Sequence, residues 1–113
     1  MAPQQGTGNR DIVKVVYIKA GDATEAQLGG DSDYGVFDRI AGAIETKFDV
    51  RWLHQADGLD QRYWDFELEG VTLMLHFEHY LGISLFPARG FERNLVANQI
   101  VRRIGQYLEA NEV

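Results

Sequence analysis

The sequence predicts an α/β (α+β) fold, a two-layer sandwich in which a mostly antiparallel sheet of about four to five strands carries helices on one face. Three observations lead there. Two segments repeat apolar residues at helical spacing, a long central run alternates them with polar residues at strand spacing, and Glu69-Gly70 breaks that run into a hairpin. Each helix and each hairpin then has one apolar face, and stacking the two layers buries both.

The chain has 113 residues, 45% of them hydrophobic, with 17 acids, 11 bases and no cysteine. That length suits one ordinary domain, large enough to fold without a disulfide or a metal. A net charge of −6 argues against nucleic acid as the main partner, because phosphate binding needs clustered Lys and Arg. No window approaches the roughly 18 apolar residues of a membrane span, so no membrane partner is expected. The lack of cysteine fits a reducing, cytoplasmic setting. Residues 1–10 hold Pro3, Gly6 and Gly8 and almost nothing to bury, which predicts a disordered tail before a single α/β domain at residues 11–113.

Residues 11–19 form the first strand, since Ile12, Val13, Val15, Val16, Tyr17 and Ile18 are β-branched or aromatic. Their apolar side chains fall at both parities, which predicts burial on both faces and an interior place in the sheet. Residues 20–33 read as a long loop with at most one helical turn from Asp22 to Gln27, stopped by Gly29-Gly30. Ser32 or Asp33 caps a helix reaching Phe48, with Phe37, Ile40, Ala41, Ile44 and Phe48 on one face. Gly42 inside it marks an expected close approach. Residues 50–55 form a strand with Val50, Trp52 and His54 on one side, and residues 57–60 a turn.

The run at residues 62–86 fixes the sheet. Trp64, Phe66 and Leu68 point one way and Tyr63, Asp65 and Glu67 the other, while Val71, Leu73, Leu75 and Phe77 alternate with Thr72, Met74, His76 and Glu78. A two-residue turn at Glu69-Gly70 pairs Leu68 with Val71, Phe66 with Leu73 and Trp64 with Leu75, so every inward residue meets an apolar partner. A second hairpin closes through Tyr80-Leu81-Gly82 with Gly82 left-handed, sets Leu85 opposite Phe77, and turns Ser84 and Phe86 outward. Pro87 ends the sheet. Residues 91–110 form the second helix, with Ala97, Ile100, Val101, Ile104 and Leu108 on one face, widened by Leu95, Val96 and Tyr107.

Little in the sequence supports catalysis. His54, His76 and His79 are the only histidines, and the hairpin register sets His76 opposite Tyr63 rather than beside another ligand, so no metal centre is expected. Asp65 and Glu67 alternate on an exposed strand face where both stay ionised, which is poor ground for acid–base work. Asp31 and Asp33 lack the later glutamate of a calcium loop, because that position is Gly42. Ser84 sits in a strand without a nucleophile elbow. No cofactor and no catalytic residue are assigned.

The outward face of the hairpins remains. Tyr63, Asp65, Glu67, Met74, His76, Glu78 and Phe86 mix acids with large side chains, as recognition surfaces do. The stretch Trp64-Asp65-Phe66, Gly70, Leu73, Leu75 and Gly82-Ile83, followed by a closing amphipathic helix, resembles small acidic bacterial proteins, including immunity proteins that neutralise a toxin domain. The resemblance implies a non-enzymatic binding protein and assigns no residue a role. The expected function is therefore protein binding by an immunity or adaptor module, with a basic partner on the acidic, aromatic sheet face. The alternatives are a homodimer formed through the same apolar spots, or a small hydrolase using the histidine and carboxylates of the sheet.

Overall fold

The computed structural model describes residues 13–29 and 33–113; the predicted tail at residues 1–10 and the Ser32 cap lie outside them. The elements are β1 (Lys14–Ala20), β2 (Ala23–Gly29), α1 (Tyr34–Lys47), β3 (Arg51–Asp57), β4 (Gln61–Leu68), β5 (Val71–Glu78), β6 (Gly82–Pro87) and α2 (Leu95–Ala110). The strands form one antiparallel sheet of six, in the order β1-β2-β6-β5-β4-β3. α2 packs on β1, β2, β5 and β6. α1 packs through Phe37 on Trp64 and Phe77, so both helices share one face of the sheet. No described helix is long and apolar enough to cross a membrane.

The core forms where the alternation predicts it. Phe37, Ile40 and Ile44 of α1, Phe66, Leu73, Leu75 and Leu85 of the sheet, and Ile100, Ile104 and Leu108 of α2 are all fully buried. Asp33 caps α1, its side chain accepting from the Val36 amide at 2.8 Å. The β4–β5 turn pairs Leu68 with Val71, Phe66 with Leu73 and Trp64 with Leu75, as the alternation requires. Its two central residues both take positive φ, Glu69 at 54° and Gly70 at 82°, the turn whose twist matches a hairpin.

Six strands stand where about four to five were expected, because β2 occupies the predicted loop. Its sequence, Ala-Thr-Glu-Ala-Gln-Leu-Gly, is poor in strand formers. Pairing on both sides, with β1 along seven residues and with β6 through Ala26, Gln27 and Leu28, outweighs that weak preference. A two-residue turn at Gly21-Asp22 makes the hairpin. β1 is consequently an edge strand and not an interior one, and Val16 and Ile18, which suggested two-sided burial, are 57% and 39% exposed.

Smaller differences follow from local geometry. The β5–β6 hairpin closes through residues 79–81, with Gly82 paired to Glu78 at φ 94°. Leu85 therefore pairs with Leu75, and Ile83 takes the place opposite Phe77, a slip of two residues that keeps every side chain on its expected face. A bulge at Leu53 separates the Trp52–Phe66 pair from the His54–Asp65 pair, so His54 faces away from Trp52. α2 begins at Leu95, capped by Asn94, rather than at Phe91, and Leu95 and Val96 are exposed instead of widening its apolar face. Gly42 is open: a methyl group there would meet nothing within 4 Å.

Candidate functional site

The sheet face opposite the helices carries all seven residues singled out from the alternation. Cross-strand pairing orders them in rows: Tyr63, His76 and Ser84 in one, Asp65, Met74 and Phe86 in the next, Glu67 with Thr72 beyond, and Glu78 between Gln61 and Gly82 on the other side of the first. β2 extends the first row, because Gln27 pairs with Ser84. Each side chain stands there because its neighbours in sequence, Leu73, Leu75, Phe77 and Leu85, are claimed by the core.

His76 is the centre of the face. Tyr63 stacks on its ring at 4.4 Å between centroids with 19° between planes, and Phe86 meets it edge-on at 6.3 Å. Its Nε2 is buried without a hydrogen-bond partner among the described residues. Burial holds the imidazole below its ordinary value of 6.5, against the opposing pull of the Glu78 and Glu25 carboxylates. Beside it lies a recess of about 340 Å³ between β2, β5 and β6, lined by Glu25, Gln27, His76, Ser84 and Phe86, with Leu81 and Gly82–Ile83 at one end.

The acids of this face fall into two kinds. Asp65 accepts from the His54 amide at 2.7 Å and lies 3.1 Å from its Nδ1, and Glu67 accepts from Arg51 Nη2 at 2.6 Å. Glu25 and Glu78 form no ion pair among the described residues. Glu25 and Gln27 escape a reading from sequence because they fall in the stretch taken for a loop. The usable signal was the alternation of Ala26 and Leu28 with Glu25 and Gln27.

Among the described residues the histidines, Ser84 and the sheet carboxylates are not brought together as a catalytic set. His54 belongs to the edge strand beside Asp65, apart from the recess that holds His76. Ser84 is the cross-strand neighbour of His76, yet no hydrogen bond joins them among the described residues, and a nucleophile needs its base in contact. Among the described residues no three His, Cys, Asp or Glu side chains are grouped to hold a metal ion. Two other concavities are built differently. One, of about 390 Å³, opens at the β3–β4 turn under a Leu59 that is 95% exposed. The other, of about 310 Å³, lies between the β1–β2 turn and α2, where Arg93 Nε pairs with Asp22 at 2.7 Å.

No curated protein and no solved structure matches the chain. Residues 19–89, more than half of it, match the family described as Protein of unknown function (DUF3630). That segment runs from the end of β1 past the end of β6 and holds every residue lining the recess, while α2 lies beyond it. The chain belongs to this family.

Proposed function

We propose that the chain is a non-enzymatic protein-binding module, an immunity or adaptor protein, whose open sheet face engages a basic protein partner. One observation carries the reading: a face left uncovered by both helices holds a recess lined by His76 and Phe86, with Tyr63 stacked on the imidazole, and two carboxylates there, Glu25 in the lining and Glu78 paired across to Gly82, have no cation of their own chain among the described residues. Desolvated aromatics hold complexes together, and unpaired charge at the rim steers encounters. The net charge of −6 supports a basic partner.

The test is capture of a partner from the native host, followed by surface kinetics with variants. Phe86→Ala is expected to speed dissociation by about tenfold or more, with the melting curve close to that of the wild type. Wild-type kinetics in this variant, and in Asp65→Lys with Glu67→Lys, remove the face from consideration. A second reading, self-association, draws on Val16 and Ile18, which the edge strand β1 exposes on this same side of the sheet. Light scattering decides it: a dimer that Ile18→Lys dissociates supports it, and a monomer at high concentration ends it.

A further inference from the structure

The chain holds one of its own arginines in a setting of aromatic rings and carboxylates. The Arg62 guanidinium lies 4.3 Å from the Tyr34 ring centroid, 4.9 Å from that of Trp64 and 5.0 Å from that of Phe37. Its Nη1 donates to Asp38 at 2.6 Å, and its Nε lies 2.9 Å from Asp57. The recess on the open face assembles the same kinds of group. Phe86 and His76 supply the rings, Tyr63 backs the imidazole by stacking on it, Glu25 lines the recess, and Glu78 is paired across to Gly82 at its end. Gln27 and Ser84 add side-chain acceptors from the neighbouring strands. Asp65 and Glu67, by contrast, already have His54 and Arg51.

We propose that this recess receives an arginine side chain of the partner, its guanidinium pairing with Glu25 under the field of Glu78 and packing on Phe86. The claim rests on the reading of the open face as a partner surface and names the group that surface selects. Arginine fits the setting better than lysine. Its planar guanidinium packs on a ring while donating sideways to several acceptors, whereas an ammonium is a compact, strongly hydrated point charge. A recess of about 340 Å³ is large enough to admit such a side chain.

The test uses small probes on the whole chain, so that it succeeds or fails separately from any partner. N-acetyl-arginine amide is titrated into isotope-labelled protein at constant ionic strength, and amide shifts are followed by NMR. Saturable shifts are expected at Gln27, Ser84 and Phe86, with affinity reduced about fivefold or more in Glu25→Gln. The neutral isostere N-acetyl-citrulline amide is expected to give no saturable response. Equal binding of citrulline or of N-acetyl-lysine amide, insensitivity to Glu25→Gln, or shifts confined to residues 57–60 each overturn the arginine assignment. A silent arginine probe beside a partner that still depends on Phe86 refutes this inference and leaves the partner face in place. A saturable probe beside a partner indifferent to Phe86 does the reverse.

Discussion

Gly105 of α2 lies against the ring of Tyr17 on β1, and a Cβ built on the glycine would stand 3.1 Å from the tyrosine Cζ and closer still to its hydroxyl oxygen. The tyrosine is held there, its hydroxyl donating to the Arg102 carbonyl at 3.3 Å while the Arg102 guanidinium lies 4.9 Å from the ring centroid. The helix thus approaches the edge strand only because position 105 has no side chain. Alanine favours a helix interior by about 1 kcal/mol over glycine, but here it displaces a packed ring. Gly105→Ala is expected to lower stability by about 1–3 kcal/mol. In a double-mutant cycle with Tyr17→Ala the combined loss should fall short of the sum, because the second change removes the clash. Additive losses in urea melts would show that the ring yields freely.

Gly42 is the control. It sits inside α1 with open space around it. Only the helix preference remains, and Gly42→Ala is expected to raise stability by about 0.5–1 kcal/mol. A loss on melting contradicts the exposed position of this turn of α1.

Leu75 and Met74 test the sheet. Leu75 is fully buried between Trp64 and Leu85, and Met74 faces the open side between Asp65 and Phe86. Leu75→Ala is expected to cost about 2–5 kcal/mol through the cavity it leaves. Met74→Ala should cost less than about 1 kcal/mol. Equal losses would mean that the two faces have been exchanged.

These contrasts show which parts of the fold are legible in the residues alone. The β4–β5 register was legible because a one-residue slip would expose Phe66, Leu73 and Leu75 together. The stripes of α1 and α2 were legible for the same reason. β2 was not, because Ala23 to Gly29 become a strand only through β1 on one side and β6 on the other, and a partner distant in sequence leaves little local signature. The missed strand carried Glu25 and Gln27, so the alternation of the hairpins showed only the His76, Ser84 and Phe86 side of the recess.

His76 predicts an acid-sensitive stability. Its folded value lies below the ordinary 6.5, chiefly through burial. Below 6.5 the unfolded chain takes up a proton that the folded chain resists, so the contribution is complete above that pH and is lost as pH falls through the folded value. His76→Phe keeps a ring against Tyr63 and Phe86 and cannot titrate. Urea melts between about pH 8 and pH 5 should show the wild type losing stability relative to this variant only on the acid side. Parallel curves would show that the imidazole accepts its proton as readily folded as unfolded.

The two kinds of acid on the open face make the partner reading quantitative. Glu67 spends its field on Arg51 at 2.6 Å and Asp65 is engaged by His54, whereas Glu25 and Glu78 have no ion-pair partner among the described residues. Neutralising Glu25 and Glu78 together removes uncompensated charge. Neutralising Asp65 and Glu67 also leaves Arg51 without a counter-charge, and it weakens the bulged edge, where a neutral amide oxygen accepts from the His54 amide less strongly than the Asp65 carboxylate does at 2.7 Å. With a basic partner in hand, Glu25→Gln with Glu78→Gln should slow association severalfold at low salt, and the difference from wild type should shrink as salt rises. Asp65→Asn with Glu67→Gln should slow association as well, but this pair should also lower the melting temperature, because it weakens charge-assisted contacts within the chain. The two double variants are therefore distinguished by stability and not by rate alone. If the Glu25 and Glu78 pair leaves the association rate unchanged at every salt concentration, electrostatic steering does not act through the recess.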